Sequence, residues 1–230
     1  MPKTLALERL FRLNNGNKLR YLAKLKSMVK NLVFDFGKVL VDYNYDTFFG
    51  RYVSDEARCK AVIAILCNDD MQHQIDRGER AFEAIMDDAI SNNKEFEPEI
   101  RIFKDHYPEI VTNEVSGMQN LLVSLKAEGF KLYGLSNWCS KIYVTMTQFG
   151  IFSLLDGYII SSDEKVIKPE VEIYHRLFKK YNLKPCECIF ADDRAENIEA
   201  GRSLGMNGIV FTDAQQFERE LRQMIKQQNQ

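Results

Sequence analysis

The stretch Asn31-Leu32-Val33-Phe34-Asp35-Phe36-Gly37-Lys38-Val39-Leu40-Val41-Asp42 decides the fold. Three apolar residues run straight into a bare carboxylate, and a glycine follows two places later. An apolar run without alternation suits a strand buried on both faces of a parallel sheet. A carboxylate closing such a strand loses hydration unless something positive meets it. Four more short runs have the same character, at 131–135, 157–160, 188–191 and 208–211. Helical patterns separate them. In 115–128, Met118, Leu121, Leu122 and Leu125 share a face and Gly129 follows as a stop; 169–181 and 197–204 read the same way. Strand and helix alternate, so the expected class is α/β, a doubly wound and mostly parallel sheet with right-handed crossovers.

The rhythm breaks between residues 45 and 114. No run there is strand-like, and the pattern reads as helices at 46–53, 55–68, 80–91 and 97–106. The expected organisation is therefore a core from 28–44 and 115–230 with a smaller helical domain, 45–114, inserted after the first strand. The tail 215–230 reads as a polar helix. Residues 1–27 carry seven Lys or Arg against one acid. They read as a basic extension ahead of Met28, with a short basic helix that packs or binds something as the other reading. They hold no apolar segment of signal-peptide length.

Composition narrows the function. With 230 residues, 45% of them hydrophobic, the chain can bury one substantial core plus a small accessory domain. A net charge of −2 offers no basic field for nucleic acid or an anionic membrane. No apolar run approaches the roughly 20 residues of a membrane span. The five cysteines show no zinc spacing and read as reduced thiols in a cytoplasmic protein. His73, His106 and His175 show no metal-ligand spacing either.

In open α/β sheets, ligands bind at the carboxyl ends of the strands. The strand ends deliver Asp35, then Ser136-Asn137, then Lys168-Pro169, then Asp192-Asp193. Each has an ordinary reading alone: a helix cap, a solvated turn, a turn pair. Taken together and in this order, they make one site. Asp35 and Asp193 offer hard oxygens to one Mg²⁺, Lys168 neutralises phosphate, and the Ser136 hydroxyl donates to a phosphoryl oxygen. A carboxylate oxygen of Asp35 can then attack phosphorus in line to give an aspartyl-phosphate that water hydrolyses.

These four motifs, Phe34-Asp35-Phe36-Gly37-Lys38-Val39-Leu40, Leu135-Ser136-Asn137, Lys168-Pro169-Glu170 and Phe190-Ala191-Asp192-Asp193-Arg194-Ala195-Glu196-Asn197-Ile198, resemble those of the haloacid dehalogenase-like (HAD) hydrolase superfamily. The insertion falls where that family carries its type-1 helical cap. The resemblance implies Asp35 as nucleophile, Ser136, Asn137 and Lys168 as phosphate holders, and Asp35, the Gly37 carbonyl and Asp193 as metal ligands. Asp192 would be a ligand or a supporting acid. The D-[LF]-G-x-V pattern is similar to the branch with sugar-1-phosphate phosphatases. The implied activity is Mg-dependent hydrolysis of a small phosphorylated metabolite by a monomer or homodimer.

Gly37 departs from the family pattern. Most of its phosphatases place a second aspartate there, whose carbonyl binds metal and whose side chain moves the proton. Gly37 keeps the carbonyl and lacks the acid, and general acid–base help is worth roughly 10²–10⁴ in rate. Three readings stay open. The substrates have good leaving groups; or another acid substitutes, with Asp42 and Glu79 as candidates; or the domain is catalytically weak and binds a metabolite or partner. Dehalogenation ranks lower, because that reaction needs no metal and Asp192-Asp193 looks made for one. The loop Asp76-Arg77-Gly78-Glu79 is the expected substrate-facing turn, and Trp138 is a candidate for the pocket wall or the core.

Overall fold

The computed structural model describes residues 29–228; the basic extension, 1–27, lies outside them. Strand β1 (Asn31–Phe34) leads through a tight loop to β2 (Val41–Tyr43). Five helices follow, α1 (Tyr45–Gly50), α2 (Glu56–Leu66), α3 (Asp69–Arg77), α4 (Phe82–Asn92) and α5 (Glu97–His106), before β3 (Val111–Glu114). The chain then alternates: α6 (Met118–Ala127), β4 (Lys131–Ser136), α7 (Ile142–Gln148), β5 (Gly157–Ile160), α8 (Ser161–Glu164), α9 (Val171–Tyr181), β6 (Cys188–Asp192), α10 (Ala195–Ser203), β7 (Asn207–Val210) and α11 (Ala214–Gln228).

The five strands β5-β4-β1-β6-β7 form one parallel sheet with β1 at its centre. The strand order reverses between β1 and β6, which opens a crevice at their carboxyl ends. Period-two alternation sorts β1 between two cores. Leu32 and Phe34 face the side covered by α6 and α11, while Val33 joins Ile173, Tyr174, Leu177 and Ile198 under α9 and α10. Both faces are buried, which is why the strand reads as one apolar run.

The helical insertion is entered and left through β2 and β3, which pair antiparallel as a two-stranded ribbon. That ribbon is absent from the sequence reading, since Val-Asp-Tyr and Val-Thr-Asn-Glu are too short and too polar to signal strands. Helix α3 is also new. Asn68 caps it, its side chain accepting from the Met71 amide at 3.0 Å, so the helix expected over 55–68 ends early and a second one begins. Pro169 precedes α9 and does not open it, because the helix starts at Val171. Elsewhere the expected bounds hold to within a few residues.

Phe36 fixes the loop that follows β1. Its carbonyl accepts from the amides of Leu40 and Val41 at 2.9 Å, and its ring lies against the backbone of Gly134 on β4. A Cβ at Gly134 would stand 2.3 Å from that ring. Gly134→Ala therefore forces Phe36 and the loop to move, and overpacking of this kind costs about 1–3 kcal/mol. Urea unfolding checks it: the midpoint falls while the slope stays at the wild-type value.

Candidate active site

The loop of residues 35–37, the ends of β4 and β6, the segment around Lys168 and one face of α3 enclose a cleft of about 110 Å³. Asp35, Gly37, Asn137, Lys168 and Asp193 all line it. At its floor, the Lys168 ammonium bridges two carboxylates, Asp35 Oδ1 at 2.8 Å and Asp192 Oδ2 at 2.7 Å. The Lys168 side chain is 1% exposed and that of Asp192 fully buried. Burial works against the ammonium, but Asp192 and Asp35 outweigh it and hold its pKa above the ordinary lysine range.

Asp192 accepts from three donors: Lys168 Nζ, Asn197 Nδ2 at 3.0 and 3.1 Å to its two oxygens, and the Arg194 amide at 2.9 Å. Its geometry is that of a buried anchor for Lys168. Asp193 is exposed and lines the cleft. Asp35, Asp192 and Asp193 each offer an oxygen within 4.8 Å of the others. Burial pushes the Asp35 carboxyl up to about 7; Lys168 opposes this, while Asp192 and Asp193 add to it. Burial and Asp192 likewise raise Asp193. Three crowded carboxylates around one ammonium leave negative charge that a hard divalent cation would neutralise, so the residues fit Mg²⁺.

Ser136 and Asn137 behave differently from each other. The Ser136 hydroxyl is buried at the end of β4 and has no partner. A buried hydroxyl left unpaired is costly, though Ser136 is not itself among the residues that line the cleft. The Asn137 side chain is fully engaged with the main chain of Lys168, donating to its carbonyl at 2.9 Å and accepting from its amide at 2.7 Å. Asn137 thus seats Lys168 with its side chain.

The two acids named to replace the missing carboxyl lie away from the cleft. Asp42 pairs with Lys38 at 2.5 Å and lines an open groove on the outer side of Asp193. Glu79 is exposed and faces a surface depression with Arg77 and Arg80. His106 pairs with Glu109 at 2.8 Å, and His175 is exposed on α9.

Besides Tyr45, Tyr107 and Ile110, the residues that reach the cleft from the insertion are Asp69, Gln72, His73 and Asp76. These last four stand at i, i+3, i+4 and i+7 on α3 and so share one face of the helix. The sequence carries that spacing, but as a polar pattern. Ile75 is the one buried residue of α3, and a search for apolar periodicity passes over it. Arg194, beside Asp193, also lines the cleft.

Gly37 has a steric reason. A Cβ there would lie 2.9 Å from Cε1 of Tyr43 and 3.4 Å from Cζ3 of Trp138. The two rings meet edge to face, 5.9 Å between centroids, and Trp138 is both core and cleft wall. They fill the place a side chain at 37 would take. Gly37→Asp consequently displaces Tyr43 and does not deliver a working acid. A lower melting temperature and slower turnover than wild type are expected; faster turnover at an unchanged melting temperature would refute the steric account.

Known proteins agree with this architecture. The chain matches the family model of the haloacid dehalogenase-like hydrolases over residues 29–205. It is 32% identical over 109 residues to a sesquiterpene phosphatase of Aspergillus oryzae, covering 47% of this chain and 56% of that protein. It is 28% identical over 107 residues to a chloroplast flavin mononucleotide hydrolase of Arabidopsis thaliana, covering 46% of this chain and 44% of that one. The chain spans about half the length of these curated relatives. Among solved structures, a HAD family enzyme of Bacteroides thetaiotaomicron superposes with a TM-score of 0.68 at 17% identity, over 84% of this chain and 98% of that one. Its complex with magnesium and inorganic phosphate superposes at 0.65. Among the described residues, no helix is long and apolar enough to cross a membrane, and all five cysteines are free. With its motifs at the strand ends and its helical insertion after the first strand, the chain belongs to the haloacid dehalogenase-like hydrolase family.

Proposed function

We propose that the protein is a Mg-dependent phosphatase acting on a small phosphorylated metabolite through an aspartyl-phosphate on Asp35, with residues 45–114 as its cap. The observation that carries this reading is the buried Lys168, bridging Asp35 and Asp192 at the mouth of β1. Lys168 holds the Asp35 carboxylate in one orientation and presents an ammonium to an incoming phosphoryl oxygen. Ser136 donates its unpaired hydroxyl to a second oxygen. Asn137 keeps Lys168 in place, and Asp192 balances its charge. Oδ of Asp35 attacks phosphorus, the ester P–O bond breaks, and the leaving oxygen departs toward α3.

Asp35, Asp193 and the Gly37 carbonyl would hold Mg²⁺, which when bound neutralises phosphoryl charge and aligns the ester for in-line attack. The relatives, by name a sesquiterpene phosphatase and a flavin mononucleotide hydrolase, support phosphate esters over haloacids. The leaving group would meet Tyr45, Tyr107 and Trp138 together with Gln72 and His73. A molecule with one apolar and one polar face fits that lining, sugar phosphates included. The free thiols, Cys59 and Cys139 among the buried ones, suit a reducing compartment such as the cytoplasm.

The test is phosphate release from p-nitrophenyl phosphate with Mg²⁺ and with EDTA. Wild type turns over with the metal and stops with the chelator. Asp35→Asn abolishes turnover while circular dichroism stays native, and intact-mass analysis of rapidly quenched wild type finds one phosphoryl group, absent in the variant. Undiminished turnover by Asp35→Asn rules out the nucleophile assigned here.

A further inference from the structure

Position 37 is closed to an acid by Tyr43 and Trp138, yet α3 brings two carboxylates to the cleft, Asp69 on its first turn and Asp76 on its last. Asp76 lies on the last turn of α3 and lines the same cavity as Asp35, Lys168 and Arg194. It is half-buried, and its side chain forms no ion pair or hydrogen bond with the residues described here. The chain around it is anchored. The buried Ser161 hydroxyl donates to the Asp76 carbonyl at 2.6 Å and accepts from the Trp138 amide at 2.9 Å. Gly78 ends α3 with φ +64°, and its backbone sits so close to Ser162 that a Cβ would stand 2.6 Å from that residue's own. Lys165 donates to the Gly78 carbonyl, and Arg77 pairs with Glu170. Four contacts from two core segments thus fix the end of the helix that carries Asp76.

We propose that Asp76 is the proton donor and acceptor of this site, taking over from the cap the task of the carboxyl absent at position 37. The proposal rests on the phosphatase reading and extends its substrate range to phosphate esters of ordinary alcohols. In the first half-reaction Asp35 Oδ forms its bond to phosphorus while the ester P–O bond breaks. The bonding pair goes to the leaving oxygen, which takes the carboxyl proton of Asp76 and departs as the alcohol. In the second, the Asp76 carboxylate removes a proton from water as the water oxygen attacks phosphorus. The bond from phosphorus to Asp35 breaks, phosphate leaves, and Asp35 and protonated Asp76 are restored.

The charge environment agrees with the geometry. Burial and the negative charge of Asp35 push the Asp76 carboxyl up to about 7, while Lys168 and Arg194 oppose them. A carboxyl held there can both give and take a proton near neutrality. Asp69 and His73, on the same face of α3, are the other titratable groups of that helix in the cleft. The sequence places Asp76 in the expected substrate-facing turn 76–79 but points to Glu79 there as the acid; the structure puts Asp76 on the last turn of α3 and in the cleft.

Single-turnover kinetics on the full chain with Mg²⁺ separates proton transfer from folding. The probes are p-nitrophenyl phosphate, whose leaving group needs no proton, and propyl phosphate, whose leaving group does. Asp76→Asn should slow single-turnover propanol release by roughly 10²–10⁴-fold. With p-nitrophenyl phosphate in excess, it should leave the first equivalent of nitrophenolate near the wild-type rate, followed by a slow steady state in which the enzyme stays phosphorylated. Asp76→Glu should recover part of the propyl phosphate rate. Equal loss on both probes would assign Asp76 a merely structural role, and no loss on propyl phosphate would exclude it as the acid; either overturns the proposal. Absence of Mg-dependent nitrophenolate release in wild type would instead overturn the phosphatase reading, and this inference with it.

Discussion

One ammonium group holds this site in order. Lys168 Nζ is almost wholly removed from water and touches Asp35 and Asp192 at hydrogen-bond distance. Burying such a pair returns little net stability, since apolar side chains of similar volume would often do as well. Removing a single partner, by contrast, strands the others at a cost of about 3–5 kcal/mol. The arrangement makes sense as a device that opposes the protonation burial favours at Asp35 and aims its carboxyl where the sheet opens. The surroundings serve that device. Asn137 ties down the lysine's backbone, Asn197 and the Arg194 amide complete the shell of Asp192, and the central position of β1 brings all of them to one point.

Much of this was legible in the sequence because it obeys strong local rules. A strand buried on both faces must be apolar throughout, so β1, β4, β5 and β6 declare themselves, and a polar residue at each carboxyl end stands out against them. Asp35, Ser136 and Asp193 were visible for that reason, whereas Lys168 stands eight residues beyond the end of β5, after α8. What escaped notice lacks an apolar signature. Helix α3 turns a polar face to the cleft and buries Ile75 alone, and the β2–β3 ribbon is three or four residues wide. Asp42 was attractive by proximity along the chain, and Glu79 by its place in the helical insertion. The fold places Asp42 against Lys38 and Glu79 on the outer surface, a result of the left-handed turns at Lys38 and Gly78 that no periodicity reveals.

Gly37 links the two halves of the protein in an unexpected way. The absent side chain belongs to the core, but the rings that occupy its space come from both sides: Tyr43 from the ribbon leading into the insertion, Trp138 from the end of β4. Loss of an acid at one position and gain of aromatic packing at its boundary are thus one structural fact. The same rings form part of the wall against which a leaving group would rest.

The Ser161 hydroxyl contacts backbone only: the amide and carbonyl of Trp138 and the carbonyl of Asp76. It therefore acts as a ruler between the two walls of the cleft, and its setting does not depend on which side chains those walls display. Asp69, Gln72 and His73 can drift to suit different molecules while the spacing across the reaction centre stays constant. A family built on such a joint can diversify its specificity without recalibrating its chemistry.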